Sequence, residues 1–165
     1  SAEQLAANGI YEVVYDNSNL KDSRFYINGA ESFDFANDTV TASYGSATGK
    51  ALDDVNGTDE NGVELDPVVV ISGVKSIEKN QIKTQANSLL QSSDWYVVRQ
   101  AEIATEIPAN VSTYRTAVRT KANEMETAID GAATIEAVEA LFTYINTGTE
   151  ENPVNARPIG EWPTL

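Results

Sequence analysis

The ionisable chemistry of this chain is almost entirely carboxylate: twenty-five Asp and Glu stand against eleven Lys and Arg, with no His and no Cys. The missing imidazole and thiol exclude Ser-His-Asp triads, Cys-His nucleophile pairs, thiolate zinc sites and disulfide scaffolds together. What remains is a carboxylate pair, which in a glycosidase faces a sugar cleft at about 5 to 10 Å separation. No pair stands out. Glu124 and Glu126 flank Met125 on the solvent side of a predicted helix, and Asp53-Asp54 lies in a turn-rich segment. Neither has the apolar surroundings that raise a carboxyl pKa for acid catalysis. No catalytic residue is therefore expected, and the chain reads as a non-enzyme.

The stretch from Gly49 to Asp66 gathers Asp53, Asp54, Asp59, Glu60, Glu64 and Asp66 around two Asn-Gly pairs, at Asn56 and Asn61. A calcium loop counted from Asp54 needs Gly at its sixth position and Glu at its twelfth, where the chain has Asp59 and Leu65. The spacing fails, so no metal is expected, and both Asn-Gly pairs read as primed turns of a solvated hairpin. Gly45-Ser46-Ala47-Thr48-Gly49-Lys50 has the wrong Gly-to-Lys spacing for a phosphate cradle, and no cofactor is expected. The glycosylation patterns at Asn37, Asn56 and Asn110 match by chance in a chain rich in Asn and Thr. Arg115 and Arg119, four apart on one helix face, could grip a partner's carboxylate together, or pair with Glu102, Glu106 or another acid of the same domain.

These residues must be positioned by two kinds of element. Ile10 to Tyr15, Arg24 to Ile27, Ser32 to Phe35, Thr39 to Tyr44 and Val68 to Ile71 are short strand-forming runs separated by Asn, Asp, Ser and Gly. They predict a small antiparallel β region, in which Val40, Ala42 and Tyr44 face inward by alternation. Ala2 to Asn8 predicts a short helix closed by Gly9. From Ser76 the spacing becomes helical. Ile77, Ile82, Ala86, Leu89 and Leu90 form a first stripe, and Asp94 is placed to cap a short helix carrying Trp95, Val98 and Ala101. Pro108 opens a third helix with Val111, Tyr114, Val118, Ala122, Met125 and Ile129 inward up to Gly131. Thr134 caps a fourth with Ile135, Val138, Leu141, Phe142 and Ile145 inward. Trp95, Val98, Tyr114 and Val118 are expected to pack together, so that Trp95→Ala would cost about 3 to 5 kcal/mol.

The fold class expected is thus α+β: an acidic β-rich N-terminal domain over 1–75 with a hairpin at about 49–71, a helical domain over 76–146, and an extended tail over 147–165. The tail holds Trp162-Pro163, which either anchors in a partner's pocket or folds back onto its own helices. The 165 residues carry a net charge of −14. Residues 1 to 66 hold thirteen acidic and three basic side chains. Such a surface repels polyanions, so neither nucleic acid nor an anionic membrane is an expected partner. No apolar run approaches the roughly 20 residues of a membrane span, and Ser1-Ala2-Glu3-Gln4 has no signal-peptide character.

The run Leu89-Leu90, Asp94-Trp95, Tyr114-Arg115, Arg119 and Trp162-Pro163 resembles, in order, a module of small virion and tail-associated proteins of tailed bacteriophages, marine ones especially. It is similar also to the C-terminal region of phage tail-fibre assembly chaperones. Ala2-Glu3-Gln4-Leu5, Gly9 to Val14 and Arg24-Phe25-Tyr26 are similar to the opening of the same group, and Lys50 to Val55 with Asp59 to Gly62 to its marine versions. The resemblance implies a structural virion protein of tail, baseplate or fibre, present in multiple copies or as a homo-oligomer among other phage structural proteins and assembled in the host cytoplasm. A tail-fibre chaperone absent from the mature particle is the alternative, and a carboxylate-based glycan-acting enzyme or glycan-binding module comes third. Arg115, Arg119, Trp162 and Pro163 are the partner-contact residues expected on this reading.

Overall fold

The structure, a computed structural model, describes residues 4–5 and 7–165. The chain divides into two compact units, one running up to Lys50 and the other Ala51–Leu165. Both strand and helix contribute, as the α+β reading requires.

In the first unit, β1 (Val13–Asp16), β4 (Thr39–Tyr44) and β3 (Glu31–Ala36) form a sheet in that order, and β2 (Tyr26–Ile27) pairs with β5 (Thr48–Gly49). The β3–β4 hairpin turns on Asn37 and Asp38, both at positive φ, the two-residue geometry that matches the twist of the flanking strands. One ladder differs from the antiparallel expectation: β1 pairs with β4 in parallel, Val13 opposite Val40. A tight turn forces antiparallel pairing, whereas the long excursion between β1 and β4 lets the chain return in either sense. Gly9 has the positive φ expected of it. Of the helix expected before it, Ala2, Glu3 and Ala6 lie outside the described residues.

In the second unit, β6 (Val55–Asn56) pairs with β7 (Val70–Ile71). Only one Asn-Gly pair makes the hairpin turn: Gly62 lies at positive φ, and the Asp59 carboxylate accepts from the backbone N–H groups of Asn61 and Val63. Asn56-Gly57 runs straight on instead, with Gly57 N–H donating to the Val69 carbonyl. Strand pairing overrides the local turn preference there.

Four helices follow: α1 (Val74–Gln91), α2 (Asp94–Ile103), α3 (Ala109–Gly131) and α4 (Ile135–Phe142). Helix α1 starts two residues earlier than its stripe suggests and has no side-chain cap. Its first N–H groups are satisfied by preceding chain: Val74 and Lys75 donate to the carbonyls of Ala51 and Leu52, and Gly73 N–H to the Asp54 carboxylate. Those bonds join the acidic hairpin to the helices, so the chain divides after Lys50, where the sequence placed a boundary near residue 75. A side chain at residue 73 would collide with the Asp53 backbone, so Gly is required there.

The core lies between α1 and α3. Ile82 and Ala86 pack on Val118, Ala122, Met125 and Ile129, with Ile159 from the C-terminal segment closing the cluster. Ile77, expected in the stripe, is exposed, and the buried position one residue on is Glu78. A lysine ladder flanks the seam: Lys79 and Lys83 reach Asp130 and Glu126 of α3 at 2.6 and 3.4 Å, and Lys75 donates to the Asp130 carbonyl near the α3 C-terminus. The Thr134 hydroxyl accepts from Ala137 N–H and caps α4, which buries Ile135 and Val138. Ile145 does not continue that helix; it belongs to β8 (Ile145–Asn146), paired with β9 (Asn155–Ala156). The segment expected to be an extended tail is therefore a small hairpin followed by a packed end. Among the described residues no helix is long and apolar enough to cross a membrane.

Candidate interaction surface

The four residues expected to meet a partner are separated by the fold. Arg115 sits on α3 with its side chain only 11% exposed. It donates to the Leu90 carbonyl at 3.0 Å and the Ser93 hydroxyl at 2.6 Å, and pairs with Asp94 at 2.9 Å. The guanidinium thus fastens the corner between α1 and α2 onto α3, using the forked donor set that suits Arg to several acceptors at once. Asp94 is the first residue of α2 rather than its cap; Ser93 holds that place, and its hydroxyl is turned back to the Leu90 carbonyl. Arg119, one turn further on, is exposed, so the two arginines do not act together on one anion.

Trp162 is half-buried against the α1–α3 core and donates its indole N–H to the Gln85 side chain at 2.9 Å. Ile159 N–H donates to the Leu141 carbonyl, and its side chain is buried. Of the two readings of the C-terminal segment, folding back onto its own helices is the one observed. Pro163 and Glu161 border an open hollow of about 640 Å³ along α3, whose other walls include Thr116, Ala117 and Thr120.

Helix α2 departs most from expectation. It buries none of its residues. Trp95 and Val98, read as core by their spacing, are exposed, with Trp95 at 50%, as are Val97 and Ile103. The reason is occupancy: the apolar face of α3 is already covered by α1 and Ile159, so no slot remains for α2. Trp95 stacks instead on Tyr96, ring centroids 3.8 Å apart, and the Arg99 guanidinium lies over both rings at 4.7 and 5.4 Å. Arg99 Nε is buried there without a hydrogen-bond acceptor. The apolar residues of 95–103 make this surface visible in the sequence, but their helical spacing equally describes a core helix.

The carboxyls displaced from their ordinary values are held low by hydrogen bonds. Backbone N–H groups act on Asp16, Asp54 and Asp59, and Arg24 and Arg157 act on Asp22 and Glu161. Such groups are fixed as anions, which suits turns and ion pairs rather than proton donation. Among the described residues no three carboxylates cluster as a metal site would need. No family model, curated protein or solved structure matches this chain.

Proposed function

We infer that this chain is a structural component of a bacteriophage virion, associated with the tail, baseplate or fibre, and that it works through contacts with other protein chains. The observation that carries the reading is α2, a helix that leaves Trp95, Val97, Val98 and Ile103 in solvent. Exposed large apolar side chains gathered on one helix are a feature of interaction sites, and Trp and Arg are the residue types that dominate interface energetics. The phage context comes from the resemblance carried by Asp94-Trp95 and Tyr114-Arg115. Of these, Arg115 pairs with Asp94 at the start of the exposed helix, while Tyr114 packs against the α1–α3 core. Trp95, next to Asp94, stands in solvent. The contact residues of the reading shift accordingly, from Arg115 and Trp162, which the fold uses internally, to Trp95, Val98 and Ile103.

Mass spectrometry of purified particles tests the reading. Stoichiometric recovery of the chain is expected, together with its loss from particles made with Trp95→Asp. Absence from mature particles, with recovery alongside fibre subunits in infected cells, would replace the structural role with the chaperone one.

A further inference from the structure

Four Asn-Gly pairs occur in the chain, beginning at Asn8, Asn28, Asn56 and Asn61. Glycine has no side chain to shield its backbone nitrogen, so that nitrogen can approach the Cγ of the asparagine before it. The approach needs two freedoms. The carboxamide must swing toward the nitrogen, and the glycine N–H must be released from any hydrogen bond of its own. The fold grants these freedoms unequally.

Asn28 is held at both ends of its carboxamide, which accepts from the Lys21 N–H and donates to the Lys21 carbonyl, each at 2.9 Å. Asn56 donates to the Glu64 carboxylate, and the Gly57 N–H is engaged with the Val69 carbonyl at 2.7 Å, so freeing that nitrogen disturbs the strand pairing beside it. Asn8 donates to the Gln4 carbonyl at 2.6 Å. Asn61 differs from all three. It is exposed in the loop between β6 and β7, and among the described residues its carboxamide meets only the Asp59 carboxylate of the same turn. The Gly62 N–H donates to the Asp59 carbonyl at 3.0 Å, again within the turn, and the space a side chain at 62 would take is open. Opening this turn leaves the β6–β7 ladder intact, so it requires only a local fluctuation.

We propose that Asn61 is a site of spontaneous covalent modification in the folded chain, losing its amide by deamidation ahead of Asn8, Asn28 and Asn56. Hydroxide takes the proton of the Gly62 N–H, and the nitrogen forms a bond to the Asn61 Cγ, closing a succinimide ring. The Cγ–Nδ2 bond breaks, and the departing nitrogen takes a proton from water and leaves as ammonia. Water then opens the ring at either carbonyl, giving aspartate or isoaspartate at position 61. Both products add a negative charge to the acidic hairpin. Isoaspartate also inserts one carbon into the main chain between the N–H groups of residues 61 and 63, which the Asp59 carboxylate holds together at 2.9 Å each. Asp59 cannot keep both bonds across the longer link. The reaction is independent of the virion reading, since it needs only the folded chain and water.

The test follows the full chain in mildly alkaline buffer over days, with peptide mapping by fragment-ion mass spectrometry to separate Asn56 from Asn61. Conversion of Asn61 to a pair of acid-form isomers is expected, at least about tenfold faster than at Asn28 or Asn56, whose hydrogen bonds must open first, and faster than at Asn8. The same incubation in guanidinium chloride is expected to bring the four rates together, because unfolding removes the bonds that distinguish the pairs. Asn61→Gln is expected to abolish the fast conversion without moving the melting temperature. Reaction of Asn8, Asn28 or Asn56 as fast as Asn61 in the folded chain overturns the proposal. So does an Asn61 that reacts only in denaturant, which would mean that the Asp59 turn protects it. A ranking that persists unchanged in guanidinium chloride overturns it as well, because neighbouring sequence rather than the fold would then set the order.

Discussion

The two units use their apolar residues in opposite ways. Between α1 and α3, Ile82, Val118, Met125 and Ile129 face one another and are withdrawn from water. In the unit ending at Lys50, the described apolar residues that are fully withdrawn are Phe25, Tyr26 and Ala42, while Phe33, Phe35 and Tyr15 stand on an open sheet face. A helix pair completes its own core because each member supplies a stripe to the other; a single three-stranded sheet has nothing of its own to lay across its face. The second unit thus encloses its core, whereas the first leaves an apolar sheet face in solvent.

The sharpest way to break this comparison is truncation in each region. Met125→Ala should cost about 3 to 5 kcal/mol by chemical denaturation, because the side chain is fully buried and the α1–α3 seam cannot collapse around the void. Phe33→Ala should cost less than about 1 kcal/mol, as expected of a side chain that solvent already reaches. Equal losses would mean that the sheet face is covered in solution.

Next in size is the C-terminal segment. Ile159→Ala should cost about 2 to 3 kcal/mol, and removal of residues 152–165 should lower the melting temperature clearly, because Ile159 and Trp162 are part of the helical core. Truncation without thermal effect would return Trp162 to the role of a free anchor.

Arg115→Ala should cost about 1.5 to 3 kcal/mol, since it removes charge-assisted hydrogen bonds to the Ser93 hydroxyl and the Leu90 carbonyl and the ion pair with Asp94 at a partly buried corner. Arg119→Ala, on the exposed surface, should stay within about 0.5 kcal/mol. Similar effects from both would show that the corner is open to solvent.

Two smaller effects sharpen the picture. The Asp54 carboxyl is held below its ordinary value first by the Gly73 N–H and then by Ser76. Its unfolded pKa is near 3.9, so its stabilising contribution is complete above about pH 5 and is lost as pH falls through the lower folded value. Asp54→Asn should therefore be less stable than wild type at neutral pH, with the difference closing in acid; a difference constant down to pH about 2 would contradict the assignment. Trp95→Ala should change stability by less than about 1 kcal/mol, because its ring packs on the neighbouring Tyr96 and Arg99 rather than in the core. A loss of several kcal/mol would put Trp95 back inside.

Local chemistry made much of this legible from the sequence. The three-four spacing from Val111 to Ile129 specifies α3 and its buried face, Thr134 specifies the start of α4, and Asn37-Asp38 specifies the β3–β4 turn, because each depends on residues within a few positions of one another. Tertiary structure decided which apolar faces find cover. Trp95 and Val98 have the spacing of a core helix as truly as Val118 and Ala122 do, and Phe33 and Phe35 alternate as an inward strand would. Periodicity states which side chains share a face, whereas burial depends on whether another element arrives there. On α3 that place went to α1 and to Ile159, contributed from thirty residues beyond Ile129, and no local signal in either segment announces the pairing.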